Sequence, residues 1–278
     1  MTRGCSNLKP WAKRNAGAVN KVALLLGLTL PFCLNAQVTL GPTLTTFGVL
    51  GGSTVTNTGP TVVTGNLGVS PGSAVTGFPP GIVTGGTINV ANGLAATAQG
   101  ELTSAYNTAA GLMSTGSAPG LIGTLTLTPG VYFIPTSLSL NGPLTLDAQG
   151  NPNAQFIFQI GSTLTTASSS SVLLINNARA ANVFWQVGSS ATLGTSSTFA
   201  GNILALTSIT LTTGATLNGR ALARNGAVTL DSNTITVPAA VLPPGVPAPS
   251  SLILLTTALI CIGLYQARDR LLRPFRRG

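Results

Sequence analysis

A repeat of eighteen residues near the end of the chain leaves few architectures open to it. Thr195-Ser-Ser-Thr198 returns as Thr213-Gly-Ala-Thr216 and again as Asp231-Ser-Asn-Thr234. The flanks keep the same register. Phe199, Leu217 and Ile235 follow the last threonine each time, and Gly201-Asn-Ile-Leu-Ala205 aligns with Gly219-Arg-Ala-Leu-Ala223. A unit this short cannot bury a core alone, so it must stack, coil upon coil, as in a solenoid. Side chains alternate along a strand, so inward Phe199, Leu217 and Ile235 place Thr198, Thr216 and Thr234 outward. Stacking then gives a threonine column with a rung every ~4.7–4.9 Å. A second set, Thr192, Thr210 and Thr229, sits between Ala191/Leu193, Ile209/Leu211 and Val228/Leu230, so two threonine-bearing faces are expected.

The rest of the body reads as mainly β. Residues 37 to about 90 are rich in Thr, Val and Gly, with short strands such as Gly52-Ser-Thr-Val-Thr56 and Thr61-Val-Val-Thr64 between Gly/Pro turns. From Ala91 to Met113 the period changes. Leu94, Ala98, Leu102, Ala105, Tyr106, Ala109 and Met113 recur at three and four, which predicts one helix with an apolar stripe laid along the solenoid. After Thr124 the strand pattern returns and runs to Val237. Phe156-Ile-Phe-Gln-Ile-Gly161 is echoed twenty-seven positions on by Val183-Phe-Trp-Gln-Val-Gly188, so coils differ in length through loop insertions. Phe158 and Trp185 hold the same place in that echo and are expected in the core.

The net charge of +9 invites a nucleic-acid reading, and its distribution refutes it. Arg3, Lys9, Lys13, Arg14 and Lys21 crowd the N-terminus. Arg268, Arg270, Arg273, Arg276 and Arg277, with Asp269, crowd the C-terminus. Between them Arg179, Arg220 and Arg224 balance Glu101, Asp147 and Asp231. A body without lysine has no cluster to neutralise phosphates, so no nucleic-acid partner is expected. Residues 1–36 read as a secretory signal, with basic residues to Lys21, an apolar run from Val22 to Leu34 and small Ala36 before cleavage near Gln37. Residues 238–249 read as a Pro-rich linker, and 250–278 as an apolar and Arg-rich sorting or anchor segment that touches a membrane only transiently. Cys5, Cys33 and Cys261 fall in these ends, so the body, 37–237, is expected to stand without disulfides.

Enzyme chemistry finds little to work with. The chain has no histidine, which removes the commonest general base and metal ligand. Gly68-Val-Ser-Pro-Gly72 spells a nucleophile elbow, but the serine lacks its activating partner. Glu101, Asp147 and Asp231 are the body's carboxylates and have no acidic neighbours in sequence, so no metal or cofactor is expected. Asp147 and Asp231 both follow Thr-Leu and are expected to cap equivalent coil corners. Arg220 and Arg224 are expected to be solvated or paired with Asp231. What remains is the hydroxyl surface. Threonine is a good strand former in its own right, yet soluble sheets usually recruit charge to exposed faces, and these recruit almost none.

The residues resemble the microbial ice-binding protein family. The matching segments begin with Phe47-Gly-Val-Leu-Gly-Gly-Ser-Thr-Val-Thr-Asn-Thr-Gly-Pro60, Gly65-Asn-Leu-Gly-Val-Ser-Pro-Gly72 and Thr76-Gly-Phe-Pro-Pro-Gly81. They continue with Leu127-Thr-Pro-Gly-Val-Tyr132, Val183-Phe-Trp-Gln-Val-Gly188 and Asn225-Gly-Ala-Val-Thr-Leu230, and together span about Leu40 to Val237. The resemblance implies a discontinuous right-handed β-solenoid with one long α-helix packed alongside, and a flat face that binds ice, in some members through Thr-Ala/Gly-x-Thr/Asn. Thr213-Gly-Ala-Thr216, Thr58-Gly-Pro-Thr61 and Thr84-Gly-Gly-Thr87 fit that spelling, while Thr195-Ser-Ser-Thr198 departs at its second position. The tail resembles the Pro-Glu-Pro sorting signal of Gram-negative bacteria, with Ala248 in place of the glutamate. That implies export to the cell surface or medium. The candidate ice-contacting residues are Thr195, Thr198, Thr213, Thr216 and Thr234, with Thr192, Thr210 and Thr229 on the second face. Thr216→Tyr is the substitution expected to do most damage. The competing expectation is an extracellular matrix or adhesion protein that binds exopolysaccharide.

Overall fold

The computed structural model describes residues 37–238. The expected signal over 1–36, the linker beyond residue 238 and the segment 250–278 lie outside the described residues.

Among the described residues every strand pairing is parallel. The coil from Val183 to Ala205 shows how the chain achieves this. Val183–Val187 runs along one face, Ala191–Leu193 along a second, and Thr198–Ala205 starts on a third before bending back onto the first. The bend falls at Gly201, with φ +114°, where an added Cβ would sit 2.7 Å from Trp185 Nε1 and 2.8 Å from Val183 Cγ1. Only glycine meets both demands. Repetition of such coils gives one fifteen-stranded sheet folded over two faces and one eight-stranded sheet on the remaining face.

The stacking order is not the chain order. Thr54–Thr58 docks on Val228–Asp231, with Val55 opposite Val228 and Thr56 opposite Thr229. Val62–Thr64 docks on Thr234–Thr236. The N-terminal coils therefore cap the C-terminal end of the stack, the discontinuity that the family resemblance implied. Inside, Phe158 and Trp185 stack at 4.0 Å between centroids and 8° between planes, and Trp185 Nε1 donates to Ala200 O at 3.0 Å. Both are fully buried.

The helix spans Gly93–Gly111, shorter than the sequence pattern suggested. Asn92 Oδ1 accepts from Ala95 N at 2.9 Å as its N-cap. At the other end Gln159 Nε2 donates to Ala109 O and Leu112 O, both at 2.8 Å, which satisfies carbonyls a helix end leaves open. Leu94 (43% exposed) and Met113 (89% exposed) stay outside the contact, contrary to expectation. Ala98, Leu102, Ala105 and Ala109 meet Leu204, Leu222 and Phe184 of the sheet instead. Leu102 and Tyr106 are buried in the same stripe, whereas Leu94 lies in the first turn and Met113 past the last, beyond the seam.

A strap of residues 37–46 closes the same face. Glu101 accepts from Leu44 N at 2.6 Å, and Gln155 both donates to Val38 O (2.7 Å) and accepts from Val38 N (3.0 Å). Arg220 is buried, donating to Thr45 O at 2.7 Å and Asn202 Oδ1 at 2.8 Å. Arg224 lies 4.7 Å from the Tyr106 ring centroid. Arg220 does not take the solvated or Asp231-paired role expected of it, because helix and strap cover it, while Arg224 is half-buried beside Tyr106 rather than paired with Asp231. Asp147 and Asp231 also differ from expectation. Both hold turns, but Asp147 ends a strand of the larger sheet and Asp231 one of the smaller, so their corners are not equivalent.

Candidate functional site

The eight-stranded sheet carries a continuous hydroxyl column. Its inward residues, among them Leu164, Ile209, Leu211 and Val228, are fully buried. That alternation turns the residue between them outward. Ser139 is opposite Thr165, Thr165 opposite Thr192, and Thr192 opposite Thr210. Thr210 is opposite Thr229, Thr229 opposite Thr56, and Thr56 opposite Thr76. The hydroxyls of Thr56 and Thr229 are 3.4 Å apart. Beside this column runs a second of small polar residues, where Thr163 Oγ1 donates to Ser137 Oγ at 2.8 Å and Ser190 Oγ accepts from Ser208 N at 3.3 Å. Asp231 sits at the margin, its carboxylate accepting from Ser232 Oγ at 3.1 Å and from Thr213 Oγ1.

Thr192, Thr210 and Thr229 thus belong to one surface. Thr198, Thr216 and Thr234 belong to another, in register with each other as expected. That second face is mixed. Its column continues as Val62 and Ile82 on one side and Ser171 and Pro143 on the other. Beside that column Leu173 (46% exposed) and Ile175 (41% exposed) interrupt the face, Ala200 is buried, and the turn Ala180–Asn182 is tied to Thr198–Ala205 by Asn202 Nδ2 donating to Ala181 O at 3.1 Å.

Thr195 and Thr213 lie on neither face. The Thr-x-x-Thr unit is a corner between the two sheets. Its second position is left-handed in all three coils, with φ of 54° at Ser196, 72° at Gly214 and 54° at Ser232. Its third position, Ser197, Ala215 or Asn233, is buried. The spelling therefore reports a turn, and its two threonines point to different surroundings. In Thr58-Gly-Pro-Thr61 the second threonine is buried and its Oγ1 accepts from Asn233 N at 3.0 Å.

Sequence reasoning missed Ser139, Thr165, Thr56 and Thr76. The first two precede the eighteen-residue repeat in longer coils, so their spacing hides them. Thr56 and Thr76 are remote in sequence and join the column only because the N-terminal coils stack on the C-terminal ones.

A family model described as ice-binding-like matches residues 49–236. An ice-binding protein of Nostoc sp. (strain HG1) is 54% identical over 249 residues, 87% of this chain and 90% of the relative. One from Flavobacterium frigoris (strain PS1) is 36% identical over 69% of this chain and 74% of its own length. Among solved structures, an ice-binding protein from an Antarctic biological consortium superposes with a TM-score of 0.71 at 50% identity, covering 73% of this chain and 91% of that one. One from the Antarctic ascomycete Antarctomyces psychrotrophicus gives 0.70 at 41% identity, covering 73% of this chain and 100% of that one.

Proposed function

We propose that this chain, which belongs to the ice-binding-like family, binds ice through the threonine column of its eight-stranded sheet. The observation that carries the reading is the unbroken register from Ser139 through Thr192, Thr210 and Thr229 to Thr76. Parallel strands set the rungs ~4.7–4.9 Å apart, and alternate residues along a strand ~6.6 Å apart. Each rung offers a hydroxyl that donates and accepts and a methyl that does not disturb its neighbours' water. A single such contact is weak. Many on one rigid plane act together on a lattice, and the near absence of charge leaves little to hold water in a competing arrangement.

The mixed face, where Thr216 lies, is a poorer candidate for the main contact because Leu173, Ile175 and the 176–182 loop break it. A binder rather than an enzyme is also the better reading. Glu101, Asp147 and Asp231 are each engaged in holding a backbone segment or turn. Export belongs to the same proposal, with cleavage near Gln37 and release beyond about Val246 at the surface of a Gram-negative-type bacterium. Mass spectrometry of secreted protein tests it, and an intact arginine tail would refute it.

Thr210→Tyr tests the face. A ring at the middle of the column holds neighbouring threonines off the lattice while the inward core is untouched. Thermal hysteresis should fall to a small fraction, with stability changed by no more than about 0.5 kcal/mol. If Thr216→Tyr does the damage instead, the face is wrong. Should the unmodified chain neither shape ice nor slow recrystallisation, ice binding fails, and adhesion to exopolysaccharide takes its place.

A further inference from the structure

The mixed face is broken along only part of its length. Over the four coils nearest the N-terminal end it is continuous. Thr216, Thr234, Val62 and Ile82 stand opposite one another in one row. Asn218, Thr236, Thr64 and Thr84 make a second row, with Thr64 Oγ1 and Thr84 Oγ1 3.5 Å apart. None of the eight is charged, and Leu173, Ile175 and the 176–182 loop all lie toward the other end of the stack.

These rows are made by the same coils that make the threonine column. Rung spacing and residue spacing along the strand are set by parallel pairing, not by the side chains, so both faces carry the same two repeats. Any lattice that fits one in those dimensions fits the other. What differs is extent, four rungs against the longer column, and the corner between them, where the chain turns through Gly214 and Ser232. A corner means that one flat crystal plane cannot meet both faces. Occupying both requires two surfaces of ice.

We propose that this four-coil patch is a second, smaller ice contact, through which one molecule holds a second crystal surface while the threonine column holds the first. The inference rests on the reading of the threonine column as the main ice contact. A molecule held on both sides of a boundary between grains slows the boundary's migration more than its effect on a single crystal would suggest.

The test uses the dye-labelled full chain on a single-crystal ice hemisphere and in a recrystallisation assay, with Thr210→Tyr, Thr236→Tyr and the double variant, each checked for native circular dichroism. Thr210→Tyr should keep partial retention on ice, and the double variant none. Thr236→Tyr alone should leave hysteresis near the original value while several-fold more protein is needed to halt recrystallisation. Thr64→Tyr, one coil away, should repeat that pattern. The inference is overturned if Thr210→Tyr is retained no better than the double variant, or if Thr236→Tyr leaves recrystallisation unchanged. An unmodified chain that shows no retention sinks both this inference and the reading beneath it, whereas loss confined to the Thr210→Tyr comparison sinks this one alone.

Discussion

Arg220 shows how one residue ties the molecule together. Its guanidinium, buried on the helix side, bridges the strap at Thr45 O to Asn202 Oδ1, and Asn202 Nδ2 in turn donates to Ala181 O and Val183 O, both at 3.1 Å. Arg220→Met keeps the bulk and removes the donors, leaving buried acceptors unpaired. A loss of about 1–3 kcal/mol is expected in denaturant titrations. Burial also lowers the guanidinium pKa to about 10. The hydrogen bonds donated to Thr45 O and Asn202 Oδ1 oppose that shift, and the guanidinium stays charged in the fold.

At the scale of the element, the corner turn is where sequence and role part. Gly214 needs φ +72°, and an added Cβ there meets only Ser196 Oγ at 3.6 Å, so space is available and backbone conformation is not. Gly214→Ala should cost about 1–2 kcal/mol of stability with ice-shaping activity retained below the melting transition. Loss of activity from a fully folded variant would show that the corner itself touches ice. The helix is the converse case. Its alanine stripe was legible from period alone, but its ends were not, because Asn92 and Gln159 set them from a turn and from a distant strand.

For the molecule as a whole, the discontinuity is the decisive feature. The strands from Thr54–Thr58 and Val62–Thr64 cover ladder edges that Val228–Asp231 and Thr234–Thr236 would otherwise present to solvent. Unpaired parallel edges recruit other chains. A chain beginning at Ala91 should therefore associate on refolding, seen as excess light scattering, and should lose ice activity along with Thr56 and Thr76. A soluble monomer that melts like the full chain would contradict this.

The eighteen-residue repeat was enough to establish stacking and the outward direction of Thr198 and Thr210, and the twenty-seven-residue echo the inward place of Phe158 and Trp185, because strand alternation and coil period are local properties. Composition located the neutral body between charged ends for the same reason. Which threonines share a plane is not local. Thr195 and Thr198, three residues apart, are separated by a left-handed corner, while Thr56 and Thr229, 173 apart, stand side by side. Only the stacking of the first coils upon the last, and the docking of the Ala180–Asn182 turn on Thr198–Ala205, determined which hydroxyl surface runs unbroken.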